Sequence, residues 1–280
     1  MPRAPKTLLD RVIIDKALDR ASRIRRNLLE NGYKGQAQRL AQDEERLAAG
    51  IDQVLDWQPS MGRGPMGMKG ILESGKFKNQ FEVGRSAGFF SPPSRSRISD
   101  EYFKEFEDSA DREKYGYLER PANWEGSDDV GMYGNYKINF KPQVKQRMTI
   151  NRGDTLNEFG WDSSNEFSAT PIVPGVPETY LNWIGREYTA PMIEEPEYPN
   201  RGILEGEIEK LEEWKSPTDE YVEAQYHGPL GLEDVSGIRL PVGDLENITN
   251  DSYRNLIRSA ADKYGFRVHN LWDKCIYNCQ

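Results

Sequence analysis

The sequence predicts an α+β protein: a helical hairpin over residues 1–60, followed by a mixed β-sheet domain over residues 61–280 with long Pro-rich loops. Two patterns carry that expectation. Leu9, Ile13, Ala17, Ile24 and Leu28 recur at helical spacing as one apolar stripe, whereas Tyr136, Ile138 and Phe140, and later Val222, Ala224 and Tyr226, alternate as in strands. Mean hydropathy is −0.80, but 14 Tyr, 10 Phe and 6 Trp supply the apolar bulk that disordered chains lack.

In the hairpin, Thr7 is placed to cap the first helix and Asn31-Gly32 to stop it. Leu40, Leu47, Ile51 and Leu55 line one face of the second helix, and Pro59 follows its end. Residues 1–60 hold 11 Lys or Arg against 9 Asp or Glu, so the remaining 220 residues carry −11 against the chain's overall −9. That excludes a nucleic-acid-coating protein, which needs clustered cations. The hairpin itself reads either as a docking or oligomerisation module or as a bundle packed on the main domain.

No apolar run approaches the roughly 20 residues of a bilayer span, and the N-terminus lacks the apolar region of an export signal. Cys275 and Cys279 are the only cysteines, too few for a disulfide framework, which fits a reducing compartment. Together with His269 they have metal-ligand chemistry, but their spacing matches no common zinc motif.

Four glycines and a proline in residues 60–70 predict a linker or hinge. An acidic helix is expected over residues 98–109, and strands from Tyr115, around Tyr136–Phe140 and around Met148–Ile150. Asn151-Arg152-Gly153-Asp154 is a turn signature that puts Arg152 at a strand end. Residues 204–216 read as a helix with Glu207, Glu209, Glu212 and Glu213 on its solvent face. A helical turn and strand follow over 232–243, then a helix stopped by Gly265 and a further strand within 252–272.

The stretch with most chemistry is YVEAQYHGPLG, residues 221–231. On a strand, Glu223, Gln225 and His227 share one face while Val222, Ala224 and Tyr226 share the other. Three aligned polar groups at a strand end form either a reaction site or the wet face of an edge strand.

YGNYKINFKPQVKQRMTINRGDTLN (133–157) and the segment 221–240 resemble a group of bacterial and phage domains related to ADP-ribosyltransferases, some attached to phage minor-head or head-morphogenesis proteins. KGILESGKFKNQFEVGRSAG (69–88) and KYGYLERP (114–121) share the likeness. The resemblance implies an ADP-ribosyltransferase-like domain over 61–280 that consumes NAD as substrate. It implies phosphate or ribose contacts from Arg152 and Arg147, and a Ser/Thr element at Ser168 and Thr170. Glu223 is implied as the carboxylate facing the developing ribose charge, with Gln225 and His227 orienting sugar or acceptor. Arg85, Arg95 and Arg97 are further phosphate candidates. The order Glu223 then Gln225 inverts the family's usual final motif, in which the essential acid comes second.

The implied reaction is ADP-ribosyl transfer to a host protein or nucleic acid, or NAD hydrolysis, in the host cytoplasm. The alternative is a virion structural or assembly protein that keeps the fold without catalysis and docks on head or portal proteins, or on copies of itself, through residues 1–60. A toxin domain is a third reading.

Overall fold

The structure is a computed structural model that describes residues 6–33, 35–84, 109–120, 133–153, 171–188, 201–212, 222–241, 251–269 and 275–279. By contact, the chain divides into two compact units. One takes the described residues of 1–57 and 148–224, the other those of 58–120, 128–147 and 225–280. The hairpin expected over residues 1–60 thus groups with residues 148–224. The acidic helix expected over residues 98–109, and Ser168 and Thr170, lie outside the described residues.

In the first unit, α1 (Lys6–Asn27) runs into a π-helical turn (Leu28–Gly32) and returns as α2 (Ala37–Leu55). Ile13, Ala17, Ile24 and Leu28 are buried, as the stripe requires, and the buried Tyr33 hydroxyl donates to Asp43 across the turn (2.9 Å). A 3-10 run, Pro177–Tyr188, covers the stripe of α1, and its Asn182 amide donates to the Ala17 carbonyl (3.1 Å). A later helix, Arg201–Glu212, lies so close along α2 that a Cβ on Gly50 would sit 2.8 Å from Leu211 Cβ. The strand Met148–Arg152 completes the unit through a bridge between Ile150 and Ile172.

The strands of the chain are β1 (Gln58–Arg63), β2 (Lys114–Glu119), β3 (Tyr136–Phe140), β4 (Met148–Arg152, of the first unit), β5 (Val222–Tyr226), β6 (Val235–Arg239), β7 (Arg267–His269) and β8 (Cys275–Tyr277), and the second unit is built on six of them. Six of them form its sheet in the order β2-β1-β3-β6-β7-β8. The β6–β7 pair is parallel and the other pairs are antiparallel, so the sheet is mixed and the fold α+β. Met61, Ile138, Ile238 and Val268 stand opposite one another in register and are all buried. Helices α3 (Pro65–Ser74) and α6 (Asp251–Tyr264) cover this face; α4 (Gln80–Val83) is short, and α5 is the Arg201–Glu212 helix of the first unit. One residue along each strand, the opposite face carries Lys137, Arg239 and His269 in a second cross-strand row.

Residues 60–70 are not a linker: they form the end of β1 and the start of α3. Of their glycines Gly62 serves packing, since a Cβ there would meet Tyr133 Cβ at 3.1 Å, and Pro65 occupies the first helical turn, where a missing N–H costs nothing. Cys275 and Cys279 are joined by a disulfide, which the expectation of a reducing compartment did not include. Asn278 takes a left-handed conformation (φ 54°) that turns the chain back on itself, which spacing alone did not reveal. Among the described residues no helix is long and apolar enough to cross a membrane.

The tightest packing in the sheet is at Gly116, where a Cβ would lie 2.3 Å from the Ser60 carbonyl oxygen and 2.6 Å from the Tyr226 ring. Gly116→Ala is therefore expected to lower stability by about 1–3 kcal/mol in chemical denaturation, the usual cost of overpacking.

Candidate functional site

The YVEAQYHGPLG stretch forms β5, and the wet-edge reading of it is overturned: every residue from Val222 to His227 is buried. The contact boundary between the units falls after Ala224. Glu223 therefore belongs to the first unit and Gln225 and His227 to the second.

In the second unit the chain leaving β5 is pinned at many points. The His227 N–H donates to the Arg147 carbonyl (2.9 Å) and the Gly228 N–H to the Asp111 carbonyl (3.0 Å). Gly228 has φ 72°, a conformation other residues adopt only with strain. The Lys114 ammonium donates to the carbonyls of Ala110 (2.7 Å), Arg112 (3.3 Å) and Gly228 (3.0 Å). Arg147 pairs with Asp234 (2.6 Å) and donates to the Pro229 carbonyl. The second cofactor-binding candidate is thus engaged in fastening the loop.

Burial, reinforced by the charge of Lys114, pushes the His227 pKa down to about 3, so the ring is neutral at physiological pH. Burial likewise lowers the Lys114 pKa, aided by the nearby Arg147.

In the first unit Arg152 ends β4, as the turn signature implied, and its guanidinium meets Glu207 at 2.9 Å. Glu207 is 2% exposed and also receives Lys210 at 2.7 Å, so it is not on the solvent face of its helix. Its neighbours behave differently: Glu209 is exposed, and Glu212 makes a two-pronged pair with Arg46 at 2.8 and 2.6 Å. A helix position facing a strand-end arginine cannot be distinguished from a solvent position by charge alone.

Sequence reasoning passed over Arg63. It ends β1, is partly buried, and among the described residues its one hydrogen bond is to its neighbour's carbonyl, that of Gly62 (2.8 Å). The side chain runs beside the first turn of α3, where a Cβ on Gly67 would lie 3.5 Å from Arg63 Cδ. Gly64, the residue before that helix, offers no capping side chain, and the first helical bond is Met68 N–H to Gly64 carbonyl (2.9 Å). The N–H groups ahead of it point out of the helix beside a guanidinium, an arrangement able to hold phosphate or carboxylate oxygens. Burial pushes the Arg63 pKa down to about 10, partly offset by Tyr226, and the group stays charged at neutral pH. The signal was strand-Arg-Gly-Pro-helix, hidden by the density of glycine around it.

Two outcomes follow from these environments. Because the folded pKa of His227 lies near 3, below its ordinary 6.5, the unfolded chain takes up its proton first on acidification. The contribution is intact above about pH 6.5 and declines toward pH 3, by at most about 1.4 kcal/mol per pH unit. His227→Gln should flatten that part of the stability–pH curve measured by denaturant midpoints. Glu207→Gln removes the buried carboxylate that Arg152 and Lys210 both meet and should cost about 3 kcal/mol, less when combined with Arg152→Gln, in a double-mutant cycle.

No protein-family model matches the chain. The chain is similar to the Gene 2 protein of Mycobacterium phage L5, with 29% identity over 169 residues, which is 60% of this chain and 59% of that protein. It is also similar to the Gene 2 protein of Mycobacterium phage D29, with 25% identity over 170 residues, 60% of this chain and 58% of that protein. The matched region is thus about three-fifths of each phage relative's length.

Proposed function

We propose that this chain is a phage-type enzyme that cleaves NAD, transferring ADP-ribose to a host macromolecule or hydrolysing it. The observation that supports the reading best is β5, which carries the carboxylate of Glu223 and the amide of Gln225 on one face of a single strand. In this reading the bond between nicotinamide and C1′ of the ribose breaks, and nicotinamide leaves with the bonding electrons. An acceptor nucleophile or water then bonds to C1′ and loses its proton. The carboxylate of Glu223, buried and so weakly screened, stabilises the positive ribose in the transition state. Gln225, on the same face of β5, orients the sugar.

A virion structural or assembly role is the second reading. It is favoured by the burial of Glu223, Gln225 and His227 and by the ion pairs that already engage Arg147 and Arg152.

Nicotinamide release from NAD separates the two. The enzymatic reading expects release by the wild type that falls about a hundredfold or more in Glu223→Gln. No release by the folded wild type, or release indifferent to that substitution, overturns it.

A further inference from the structure

We propose that Cys275 and Cys279 form a redox latch: as a disulfide they fasten the last strand to the second unit, and a dithiol reductant releases it. The latch does not rest on the NAD reading and uses none of its residues. Strand β8 is three residues long and stands at the edge of the sheet. It pairs with β7 at Val268–Tyr277 and His269–Cys275, with an irregularity between the two. So short a ladder near a chain end frays readily, and the strand needs further fastening.

That fastening comes from the residues between the two cysteines. The Tyr277 hydroxyl donates to the Asp262 carboxylate (2.8 and 2.9 Å), and the Arg258 guanidinium lies 5.7 Å from the centre of its ring. The Asn278 amide donates to the carbonyls of Ala261 (3.4 Å) and Phe266 (3.1 Å). Ala261 is in the last turn of α6, where carbonyls have no partner further along the helix, so Asn278 helps to cap that end. To reach it, Asn278 adopts φ 54°, the one left-handed conformation outside glycine among the described residues. The disulfide closes the chain around this turn, with the two Cα atoms 5.8 Å apart. Opening it returns to the segment the freedom to extend, and with it to lose the contacts of Tyr277 and Asn278 on α6.

The bridge is placed where a reductant can reach it: Cys279 is exposed and Cys275 half-buried. A thiolate of the reductant attacks the Cys279 sulfur, and Cys275 leaves with the bonding electrons and takes up a proton. The second thiol of the reductant, losing its proton, then displaces Cys279 from the mixed disulfide. The products are two cysteine thiols and the reductant's own disulfide, so the latch gains the two electrons and two protons that the reductant gives up. Cys275 Sγ lies 3.4 Å from the Tyr277 carbonyl oxygen, which gives the released thiol an acceptor. The latch is therefore closed in an oxidising medium and open in a thiol-rich one.

The test is amide hydrogen exchange of the full chain, read by mass spectrometry after equilibration with oxidised glutathione or with dithiothreitol, with thiols counted by alkylation. Oxidation should leave no alkylatable cysteine, and dithiothreitol should expose both. Reduction should speed exchange of the peptide spanning residues 266–280 by about tenfold or more and leave β1 and β3 unchanged, since the opening is local. Returning the chain to oxidised glutathione should restore the slow rate. The double variant Cys275→Ser, Cys279→Ser should exchange at the fast rate in both media, with the circular dichroism of the reduced wild type. Two alkylatable thiols in the oxidised, folded wild type overturn the proposal. So does exchange in residues 266–280 that is the same with and without the bridge, a redox response that persists in the double variant, or a reduction that speeds exchange in β1 and β3 equally.

Discussion

The second unit depends on one cross-strand row, Met61, Ile138, Ile238 and Val268, held in register over four strands. Each of these side chains is at most 2% exposed, and full burial of such residues contributes about 1.5–3 kcal/mol apiece. A slip of one residue in any pair would send that set to the other face and bring charges into the core. The register that buries the apolar row therefore also aligns Lys137, Arg239 and His269 opposite. The polar face is a consequence of the core's geometry.

A second constraint operates at strand ends, where backbone irregularity and charge meet. The loop after β5 is tied by Lys114, Arg147 and Asp234, and the end of β4 by the pair between Arg152 and Glu207. In both places a cation satisfies carbonyls or a carboxylate that burial has removed from water, and leaving such groups unpaired would be costly. The end of β1 is different. Arg63 is linked to a neighbouring carbonyl and lies against an uncapped helix, which leaves its donors suited to an external anion. Two of these three arginines are thus fastened to carboxylates, while the third meets a neighbouring carbonyl.

Periodicity made much of the fold legible. The stripe of Ile13, Ala17, Ile24 and Leu28 is buried as expected, and β3, β5 and the helix stopped by Gly265 fall where alternation and stop signals put them. Glycine-rich sequence misled: residues 60–70 look like a hinge, but Gly62 is required by the approach of Tyr133 and Gly64 precedes a helix. Glu207 misled in the opposite sense, since its charge suggested water and its partners are Arg152 and Lys210. The site residues named from sequence are described in part: Glu223, Gln225 and His227 share one buried stretch, and Arg147 and Arg152 are engaged in ion pairs.

The sequence by itself determined what short-range physics controls: which segments are helices or strands, which of their faces are apolar, and that Glu223, Gln225 and His227 alternate along one strand. Tertiary structure alone decided which faces are covered and which charges meet, because those depend on partners far away in the chain. Glu119 reaching Arg239, and Lys137 standing opposite Arg239, are set by strand order and register. Period-two alternation assigns a residue to a face, but only the pairing of strands specifies what stands beside it.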